Sequence, residues 1–495
     1  MQRTPRLRWD WLVFSGLMGV FGFVLGYAVS TPEQYAQLAQ RPVIDDPPYH
    51  AISADLPETP RGEADLSWFF ELFNPDPVAF GFAAQQITEH WRDGYAPMLI
   101  EVRRFRRDEA GAEAIMGLLE TLTGQTFDGD LDRAYRWVWQ QSDEPHPNYG
   151  VFKAVLYAQL DPRFASYFDD HTDDALIRLD EVRWGGVRRD GIPPLKNPTM
   201  VAGNSEAATY LADSDVVFGL EINGDARAYP KRILAWHEMF KDTVGPGDNA
   251  VSVNGVYCTL CGSMIVYRTE HDGVHHELGT SGFLYRSNKL MYDHATESMW
   301  STLQGKPVIG PLVGQGIQLD TLPVVTTTWG AWKRQHPDTT VLSLDTGFNR
   351  DYGEGVAYRH YFATDELMFG VPSLDDRLKN KAEVLALRFG DPEATPTVLD
   401  TEALAQQPVF QTEQGGQPYV VLTDASGANR VYDATGVTFA AYDDPSAATD
   451  NEGNRWEVTE AELIAEGGQT RARLSAHRAF WFGWYAAHPD TRLLP

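Results

Sequence analysis

Two cysteines carry the strongest chemical signal in this 495-residue sequence. Cys258 and Cys261 are the only cysteines of the chain, and two residues separate them. At that spacing a single turn can bring both sulfur atoms close enough to form a disulfide or to hold one metal ion. His237 is the nearest candidate for a third ligand, because thiolate and imidazole both suit copper and zinc. We therefore predict a site at Cys258 and Cys261, with His237 as a third ligand to a copper or zinc ion.

Three kinds of chemistry remain open for this pair. Besides binding metal, which we favour, the cysteines could act as a catalytic thiol pair, in which one cysteine of lowered pKa attacks a partner's disulfide. They could also form a structural disulfide, although closing so short a loop removes little entropy from the unfolded chain. The strand-to-helix context of thioredoxin is not evident, because Gly262 and the apolar run at 264–267 are typical of a strand.

The cysteines fall in a region whose pattern is typical of β-structure. From about residue 184 onward, short apolar segments alternate with Gly, Asp, Asn and Pro. The segment 216–222 is followed by Asn223-Gly224, a dipeptide that favours a tight hairpin turn. A few helical segments are interspersed, so the pattern predicts an α+β domain with a mainly antiparallel sheet.

An internal repeat divides this β-rich region. The pattern W-x-x-W-x-x-x-H-P-D-T occurs at 329–339 and again at 481–491, an offset of 152 residues. With weaker matches upstream, it predicts two degenerate copies of one unit, at about 200–345 and 370–495. Because His336 and His488 occur in both copies, we expect them to serve packing and hydrogen bonding.

The second copy lacks the groups that could do chemistry. Aligning Tyr267 with Tyr432 places Thr423 and Ser426 opposite the two cysteines, and no histidine corresponds to His237. We therefore expect the first copy to carry the working site and the second copy to serve as scaffold.

The segment before the β-rich region has a helical pattern. Apolar residues recur at helical spacing, most clearly at Ile115, Leu118, Leu119 and Leu122. Residues 65–183 are predicted to form a small all-helical domain of HEAT-like stacked pairs, which could bind an exported protein partner. Residues 31–64 are rich in Pro, Asp and Ala and are predicted to be a linker.

The N-terminal residues 1–30 have the pattern of a membrane anchor. Arg3, Arg6 and Arg8 precede an uncharged run at 11–29, and a transmembrane helix needs about 20 apolar residues. Cations on the N-terminal side favour a cytoplasmic N-terminus, so the rest of the chain would be exported. A cleaved signal peptide is the alternative, but its apolar core is usually shorter, about 7–15 residues.

The charge of the chain excludes one class of partner. There are 41 Lys and Arg residues against 69 Asp and Glu residues, a formal net charge of -28. Nucleic-acid binding needs clustered cations that displace counterions from phosphates, so no nucleic-acid partner is expected. The expected contact is with a membrane, through the N-terminal helix.

Several longer motifs resemble one protein family. They are DGIPPLKNP at 190–198, ARAYPKRILAWHEMFKDTVG at 226–245, YCTLCGS at 257–263, SGFLYRSNKLMYDHATESMWS at 281–301, LSLDTGFNRDY at 342–352 and AFWFGWYAAHPDT at 479–491. In this order they resemble the DUF3179 family over about 184–495. The resemblance implies a bacterial or archaeal protein that is exported or membrane-associated, and it implies no specific activity.

Together these observations predict a membrane-anchored protein whose Cys-x-x-Cys/His site lies outside the cytoplasm. The first family-like repeat would span 184–369 and the degenerate second repeat 370–495. The site would bind metal or act as a redox-active thiol pair. The alternative is a non-catalytic metal carrier, assembly factor or interaction scaffold with a structural disulfide.

Overall fold

The computed structural model describes residues 56–168, 172–390 and 394–495. Within these residues the chain has the predicted α+β composition, a small helical region followed by a β-rich region. No helix in the described ranges is both long and apolar enough to cross a bilayer. The predicted anchor at 11–29 and most of the predicted linker lie outside the described residues.

The helical region is formed by α1 (Leu66–Glu71), α2 (Pro77–Glu89), α3 (Ala96–Phe105), α4 (Glu109–Thr123), α5 (Leu131–Trp139) and α6 (Tyr149–Ala158). Helix α4 begins where the Asp108 side chain accepts a hydrogen bond from Gly111 N and ends at Gly124, whose φ is 68°. Ile115 and Leu119 from the predicted apolar stripe are fully buried. Each such burial stabilises the fold by about 1.5–3 kcal/mol.

A buried ion pair joins the helical region to the β-rich region. Lys153 Nζ lies 3.0 Å from Glu101 Oε1 and donates a second hydrogen bond of 2.9 Å to Val182 O. Val182 begins β1 (Val182–Trp184), which pairs with β11 (Leu278–Tyr285). Because removing either partner would leave an uncompensated buried charge, this pair fixes where the helices contact the sheets.

The first half of the β-rich region forms three five-stranded sheets and a small hairpin. Its remaining strands are β2 (Leu195–Lys196), β3 (Met200–Ala202), β4 (Val216–Ile222), β5 (Asp225–Pro230), β6 (Met239–Val244), β7 (Val251–Cys258), β8 (Ser263–Arg268), β9 (Glu270–His271), β10 (Val274–His275), β12 (Asn288–Asp293), β13 (Met299–Ser301), β14 (Lys306–Ile309), β15 (Thr321–Leu322), β16 (Val325–Thr328) and β17 (Thr340–Leu342). The sheet orders are β16-β4-β5-β17-β3, β15-β8-β7-β6-β2 and β1-β11-β12-β13-β14. Helices α7 (Lys231–His237), α8 (Trp329–Gln335) and α9 (Arg359–Phe362) lie between and after these strands.

The second half contains three further sheets. Its strands are β18 (Glu383–Leu387), β19 (Thr397–Asp400), β20 (Val409–Gln414), β21 (Gln417–Thr423), β22 (Asn429–Asp433), β23 (Phe439–Asp444), β24 (Ala447–Asp450), β25 (Arg455–Val458), β26 (Glu462–Ala465), β27 (Thr470–Ala472), β28 (Ala476–Phe480) and β29 (Arg492–Leu494). The orders are β28-β18-β19-β29, β20-β21-β22 and β23-β24-β25-β26-β27. Helices α10 (Thr401–Ala405) and α11 (Trp481–Ala487) accompany them.

The two halves share one pattern of strand pairing. Strands β16, β4 and β5 are antiparallel and β17 is parallel to β5. Strands β28, β18 and β19 are likewise antiparallel and β29 is parallel to β19. The antiparallel series β6-β7-β8 has its counterpart in β20-β21-β22. We call β2 to β17 the first unit and β18 to β29 the second unit.

The two tryptophan motifs have the same structural role in the two units. Each contains a helix, α8 or α11, and is followed directly by a strand, β17 or β29. Trp332 Nε1 donates to Thr339 Oγ1 at 2.8 Å, and Trp484 Nε1 donates to Thr491 Oγ1 at 2.9 Å. The imidazole of the following histidine packs on each indole, with ring centroids 4.0 Å and 4.4 Å apart for His336 and His488. These histidines therefore pack within the fold.

The Asn-Gly dipeptide forms the hairpin turn that it predicted. Strands β4 and β5 pair on either side of it, from Val217 opposite Pro230 to Ile222 opposite Asp225. Asn223 and Gly224 have φ angles of 53° and 86°, which is the left-handed backbone that a two-residue hairpin turn requires at both positions.

Candidate functional site

The two cysteines lie in the turn between β7 and β8. Cys258 ends β7, and Cys261 N donates to Cys258 O at 3.2 Å, which closes a four-residue turn. Such a turn holds its end Cα atoms within about 7 Å, a separation that a disulfide can span. Gly262 follows with φ 62°, and a Cβ there would lie 2.8 Å from the Phe480 ring. Both the backbone and the packing therefore require glycine after the second cysteine.

Three other parts of the chain cover this turn. Cys258 is 2% exposed and Cys261 is fully buried. The cover segment, which we define as residues 358–371, packs on them with its aromatic and aliphatic side chains. The second unit contributes Phe480, whose N–H donates to Cys261 O at 2.6 Å. A Cβ at Gly483 would lie 3.3 Å from Cys261 Sγ, so α11 approaches the sulfur through a glycine.

The two thiols have opposite pKa shifts. Burial raises the pKa of Cys258, but hydrogen bonds from the Cys261 thiol and from the backbone N–H groups of Lys289 and Cys261 outweigh burial and lower it overall. Burial and the neighbouring Cys258 sulfur raise the pKa of Cys261 well above its ordinary value. Cys258 is therefore the thiol that ionises first, and Cys261 is the one that keeps its proton.

The Cys261 thiol donates to a backbone carbonyl. Its Sγ lies 3.0 Å from Ser287 O, in the turn between β11 and β12. A carbonyl oxygen is an acceptor, so it favours the protonated thiol over the thiolate. This contact therefore acts in the same direction as the raised pKa of Cys261.

A buried ion pair lies beside the turn. Lys289 Nζ is 2.8 Å from Glu238 Oε2, and both side chains are at most 10% exposed. Glu238 Oε1 accepts hydrogen bonds from Thr259, within the turn, at 3.3 Å and from Tyr358 at 3.1 Å. Lys289 thus contributes its backbone N–H to Cys258 and its side chain to Glu238. The carboxylate raises the pKa of both thiols, although burial has the larger effect.

The cover segment is tied to the turn by hydrogen bonds. Tyr361 Oη donates to Leu260 O at 2.7 Å, and Ser287 Oγ donates to Phe369 O at 2.9 Å. The base of the segment is held by Asp365, which accepts from the backbone N–H groups of Asn380 and Lys381. The thiols are consequently enclosed by a short irregular segment with a few polar anchors.

His237 does not join the cysteines. Its Nδ1 lies 2.9 Å from Pro193 O and its Nε2 lies 2.6 Å from Tyr352 Oη, so both ring nitrogens are hydrogen-bonded. Burial lowers its pKa to about 4. Helix α7 ends at His237, and Glu238 has φ 57°, which turns the chain so that the Glu238 side chain reaches the turn. Across 56–168, 172–390 and 394–495, no three His, Cys, Asp or Glu side chains converge as metal ligands.

Two further residues of the motif at 281–301 are structural. Asp293 Oδ1 accepts hydrogen bonds from Ala295 N and Thr296 N, so it caps a turn. Trp300 is fully buried in the core. Sequence reasoning did not single out Glu238, Lys289, Tyr358 or Tyr361. The signals available for the first two were their places beside His237 and within the motif Ser287-Asn288-Lys289.

Comparisons with known proteins give one match. Residues 189–491 match the family described as "Protein of unknown function (DUF3179)". No curated protein and no solved structure matches the chain. The matched range begins just before the DGIPPLKNP segment and ends with the second tryptophan motif, so it contains the cysteine turn, the first unit and all of the second unit except β29. The chain therefore belongs to the DUF3179 family.

Proposed function

We propose that Cys258 and Cys261 form a redox couple that exchanges two thiols for a disulfide with a disulfide-bearing partner. The observation that carries this proposal is the turn of Cys258 and Cys261, which Cys261 N closes by donating to Cys258 O at 3.2 Å, so that a disulfide can join the two residues. The lowered pKa of Cys258 favours its thiolate, which is the attacking form of cysteine. Cys261, with its raised pKa, supplies the second sulfur.

The reaction proceeds by two exchanges. The Cys258 thiolate attacks one sulfur of the partner's disulfide, forms a mixed disulfide with it and releases the other sulfur as a thiolate. Cys261 then gives up its proton to the released thiolate, and its sulfur attacks Cys258 Sγ. The second partner sulfur leaves as a thiolate and takes a proton from solvent. Two electrons pass from the protein to the partner, which becomes a dithiol.

Access to Cys258 depends on the cover segment. Both sulfurs lie beneath residues 358–371, so a partner's disulfide reaches Cys258 only when this segment moves. Apart from α9 the segment is irregular, and its direct bonds to the turn and to the neighbouring Ser287 number only a few. Opening therefore breaks these hydrogen bonds and exposes the apolar side chains of the segment, and reclosure covers the thiols again.

Binding of a soft metal ion by the two cysteines is the second candidate. The N–H groups that favour a thiolate at Cys258 would also favour a metal-bound thiolate, and thiolates select copper(I) or zinc. The raised pKa of Cys261 weighs against this candidate, because a two-thiolate site requires both sulfurs to ionise.

A trapping experiment separates these functions. Full-length protein purified without chelators is incubated with glutathione disulfide, and cysteine adducts are identified by mass spectrometry. Cys261→Ser is expected to accumulate a glutathione adduct at Cys258, whereas Cys258→Ser forms none and the wild type forms an internal disulfide. Ser426→Ala, in the equivalent turn of the second unit, is the matched control and should behave as the wild type.

Two results would contradict the redox proposal. One is a Cys261→Ser variant that forms no adduct under conditions in which the wild type is folded. The other is one copper or zinc ion per purified chain that is lost in Cys258→Ser, which would establish metal binding instead.

We also infer that the two units are copies of one ancestral unit. Support comes from their shared strand order, their shared parallel and antiparallel pairings, and the equivalent Trp–Thr hydrogen bonds. In the second unit the turn between β21 and β22 carries Thr423 and Ser426 in place of thiols. Redox chemistry is accordingly assigned to the first unit alone.

We further propose that this chemistry takes place outside the cytoplasm on a membrane-anchored chain. Support comes from the sequence, in which three arginines precede the uncharged run at 11–29. The disulfide partner would then be an exported protein. A C-terminal fusion to an enzyme that is active only outside the cytoplasm should be active, and activity of a cytoplasm-only reporter would contradict this location.

A further inference from the structure

A second polar cluster lies away from the cysteines, where β6 meets the end of β12. Lys196 and Lys241 are register partners on the parallel strands β2 and β6. Both ammonium groups contact a single oxygen, Glu277 Oε1, at 3.0 Å and 2.9 Å. Like charges placed directly opposite each other on a sheet repel, so the single Glu277 carboxylate between them offsets this repulsion and leaves the three groups with a net charge of +1.

His294 fixes the direction of one of these ammonium groups. Lys241 Nζ lies 3.3 Å from His294 Nε2. An ammonium group has no lone pair, so the imidazole must accept there and carry its proton on Nδ1. That nitrogen lies 3.2 Å from Tyr292 Oη, which in turn donates to Asp190 Oδ2 at 2.5 Å. A chain of hydrogen bonds thus holds Lys241 toward Glu277.

Comparison of the two units shows that this cluster is particular to the first. Asp293 and Asp450 pair with Leu278 and Phe439 at the same point of their hairpins. His294 N donates to Glu277 O at 2.9 Å, and Asn451 N donates to Thr438 O at 2.8 Å. The second unit therefore has Asn451 for His294 and Thr438 for Glu277.

Lys241 is likewise particular to the first unit. Through the paired strands it is aligned with Asn254 and Tyr267, and Gln411 is aligned with Val420 and Tyr432. Gln411 uses its amide to bond the backbone at Val437 and Phe439. One fold thus satisfies this position with a neutral amide, so the fold alone does not require the charges of the first unit.

We propose that Lys196 and Lys241 form a binding site for the carboxylate or phosphate group of a small ligand. In this proposal His294 orients Lys241, and the Glu277 carboxylate occupies the site until the ligand displaces it. The site is independent of the thiol pair and of the function proposed for it.

The exposure of these groups supports displacement. The side chains of Lys196 and Glu277 are 60% and 43% exposed, whereas that of Lys241 is only 14% exposed. Exposed ion pairs are weak because water screens them, so the contact between Lys196 and Glu277 can open at small cost while Lys241 stays in place. Hydrogen bonds from Lys241 and Lys196 lower the pKa of Glu277 to about 2, so its carboxylate competes with a ligand anion for the same two ammonium groups.

The test is calorimetric titration of the full-length protein with inorganic phosphate and, separately, with acetate. Glu277→Gln removes the competing carboxylate and should bind at least one of the two anions at least tenfold more tightly than the wild type. The anion that binds more tightly identifies the ligand group. Adding Lys241→Met to Glu277→Gln should abolish the gain. Adding Lys196→Met instead should reduce the gain, and this exposed position leaves folding intact.

A matched control comes from an exposed pair elsewhere. Lys333 Nζ lies 3.5 Å from Asp213 Oδ1, and Asp213→Asn frees that ammonium without an imidazole or a second lysine beside it. It should leave anion binding at the wild-type level. The proposal is overturned if Glu277→Gln binds neither anion more tightly than the wild type. It is also overturned if Asp213→Asn gains as much affinity, or if the gain survives both lysine substitutions.

Discussion

The β7–β8 turn and its counterpart between β21 and β22 differ in where their hydrogen-bond partners come from. In the second unit, Asp424 Oδ1 accepts hydrogen bonds from Ser426 N at 2.8 Å and Ala428 N at 3.2 Å, so a side chain of the turn bonds the backbone of the same turn. In the first unit, Cys258 and Cys261 depend on Lys289, Ser287 and Phe480. The turn of the second unit thus supplies its own acceptor, whereas the turn that carries thiols is enclosed and polarised by distant segments.

Each turn also has a buried ion pair beside it, and the two pairs differ in number of charges. Arg430 contacts both Asp424 and Glu460, and its side chain is 1% exposed. Lys289 contacts Glu238 alone. The second unit thus has the ionic network with more charges, and the first unit has the pair that influences the cysteines.

The largest expected effect is on stability. Removing one partner of a buried ion pair costs about 3–5 kcal/mol, because the other charge stays buried. Arg430→Met should therefore lower the free energy of unfolding by about 5 kcal/mol, since it removes the cation of Asp424 and leaves Glu460 with Arg473 alone, and Lys289→Met by about 3 kcal/mol. Urea unfolding monitored by circular dichroism measures both. Equal costs would show that the two networks are equivalent, against the distinction drawn between the units.

The next effect is a pH dependence of stability that arises from His237 in the first unit. Burial lowers the pKa of His237 to about 4, below the value of about 6.5 in an unfolded chain. Between these values the unfolded chain binds more protons than the folded chain. The stability associated with neutral His237 is therefore fully present above pH 6.5 and is lost as pH falls toward 4. The loss amounts to about 3 kcal/mol. Unfolding at pH 7 and pH 4.5 should show a smaller difference in His237→Gln than in the wild type, and an identical difference would contradict this assignment.

The influence of the first unit's ion pair on the thiols is a smaller effect with a clear sign. Glu238→Gln removes a negative charge near Cys258 and should lower the pKa of that thiol by about one unit. Lys289→Met leaves Glu238 without its partner and should raise the pKa of the same thiol. The rate of iodoacetamide alkylation as a function of pH measures both changes. General loosening of the site would shift both variants in one direction, so shifts of the same sign would refute the electrostatic account.

The smallest expected effect concerns the cover. Tyr361→Phe removes the hydrogen bond to Leu260 O and should cost about 1 kcal/mol of stability. It should also speed alkylation of Cys258, because the cover segment loses an anchor. Tyr442→Phe, which removes a hydrogen bond in the second unit, controls for the loss of a tyrosine hydroxyl and should leave alkylation unchanged.

Much of the fold could be predicted from local patterns in the sequence. The turn at Asn223-Gly224 and the equivalent contexts of the two tryptophan motifs follow from short-range spacing, which the chain converts directly into backbone geometry. One of the weaker matches upstream of the tryptophan motifs aligns 220–230 with 387–397, and it holds only for its first half. Nine residues separate β18 from β19, against two between β4 and β5, so the second strands fall out of step.

The site itself was predictable only in part. The spacing of Cys258 and Cys261 predicts their turn, but the side chains around it come from remote positions in the chain. His237 was the expected neighbour, yet Glu238 is the residue that reaches the turn, because its φ of 57° reverses the chain at the end of α7. Lys289 and Tyr358 are brought in by sheet and cover packing, which no local pattern encodes.

Gly483 belongs to the second unit but packs against the thiol site of the first. A side chain at this position would press on Cys261, so the unit that carries no thiols supplies a wall of the thiol site. Selection on the cysteines therefore extends to a residue of the second unit. In any relative that has lost both cysteines, this glycine should be free to drift to larger residues, and in any relative that keeps them it should not.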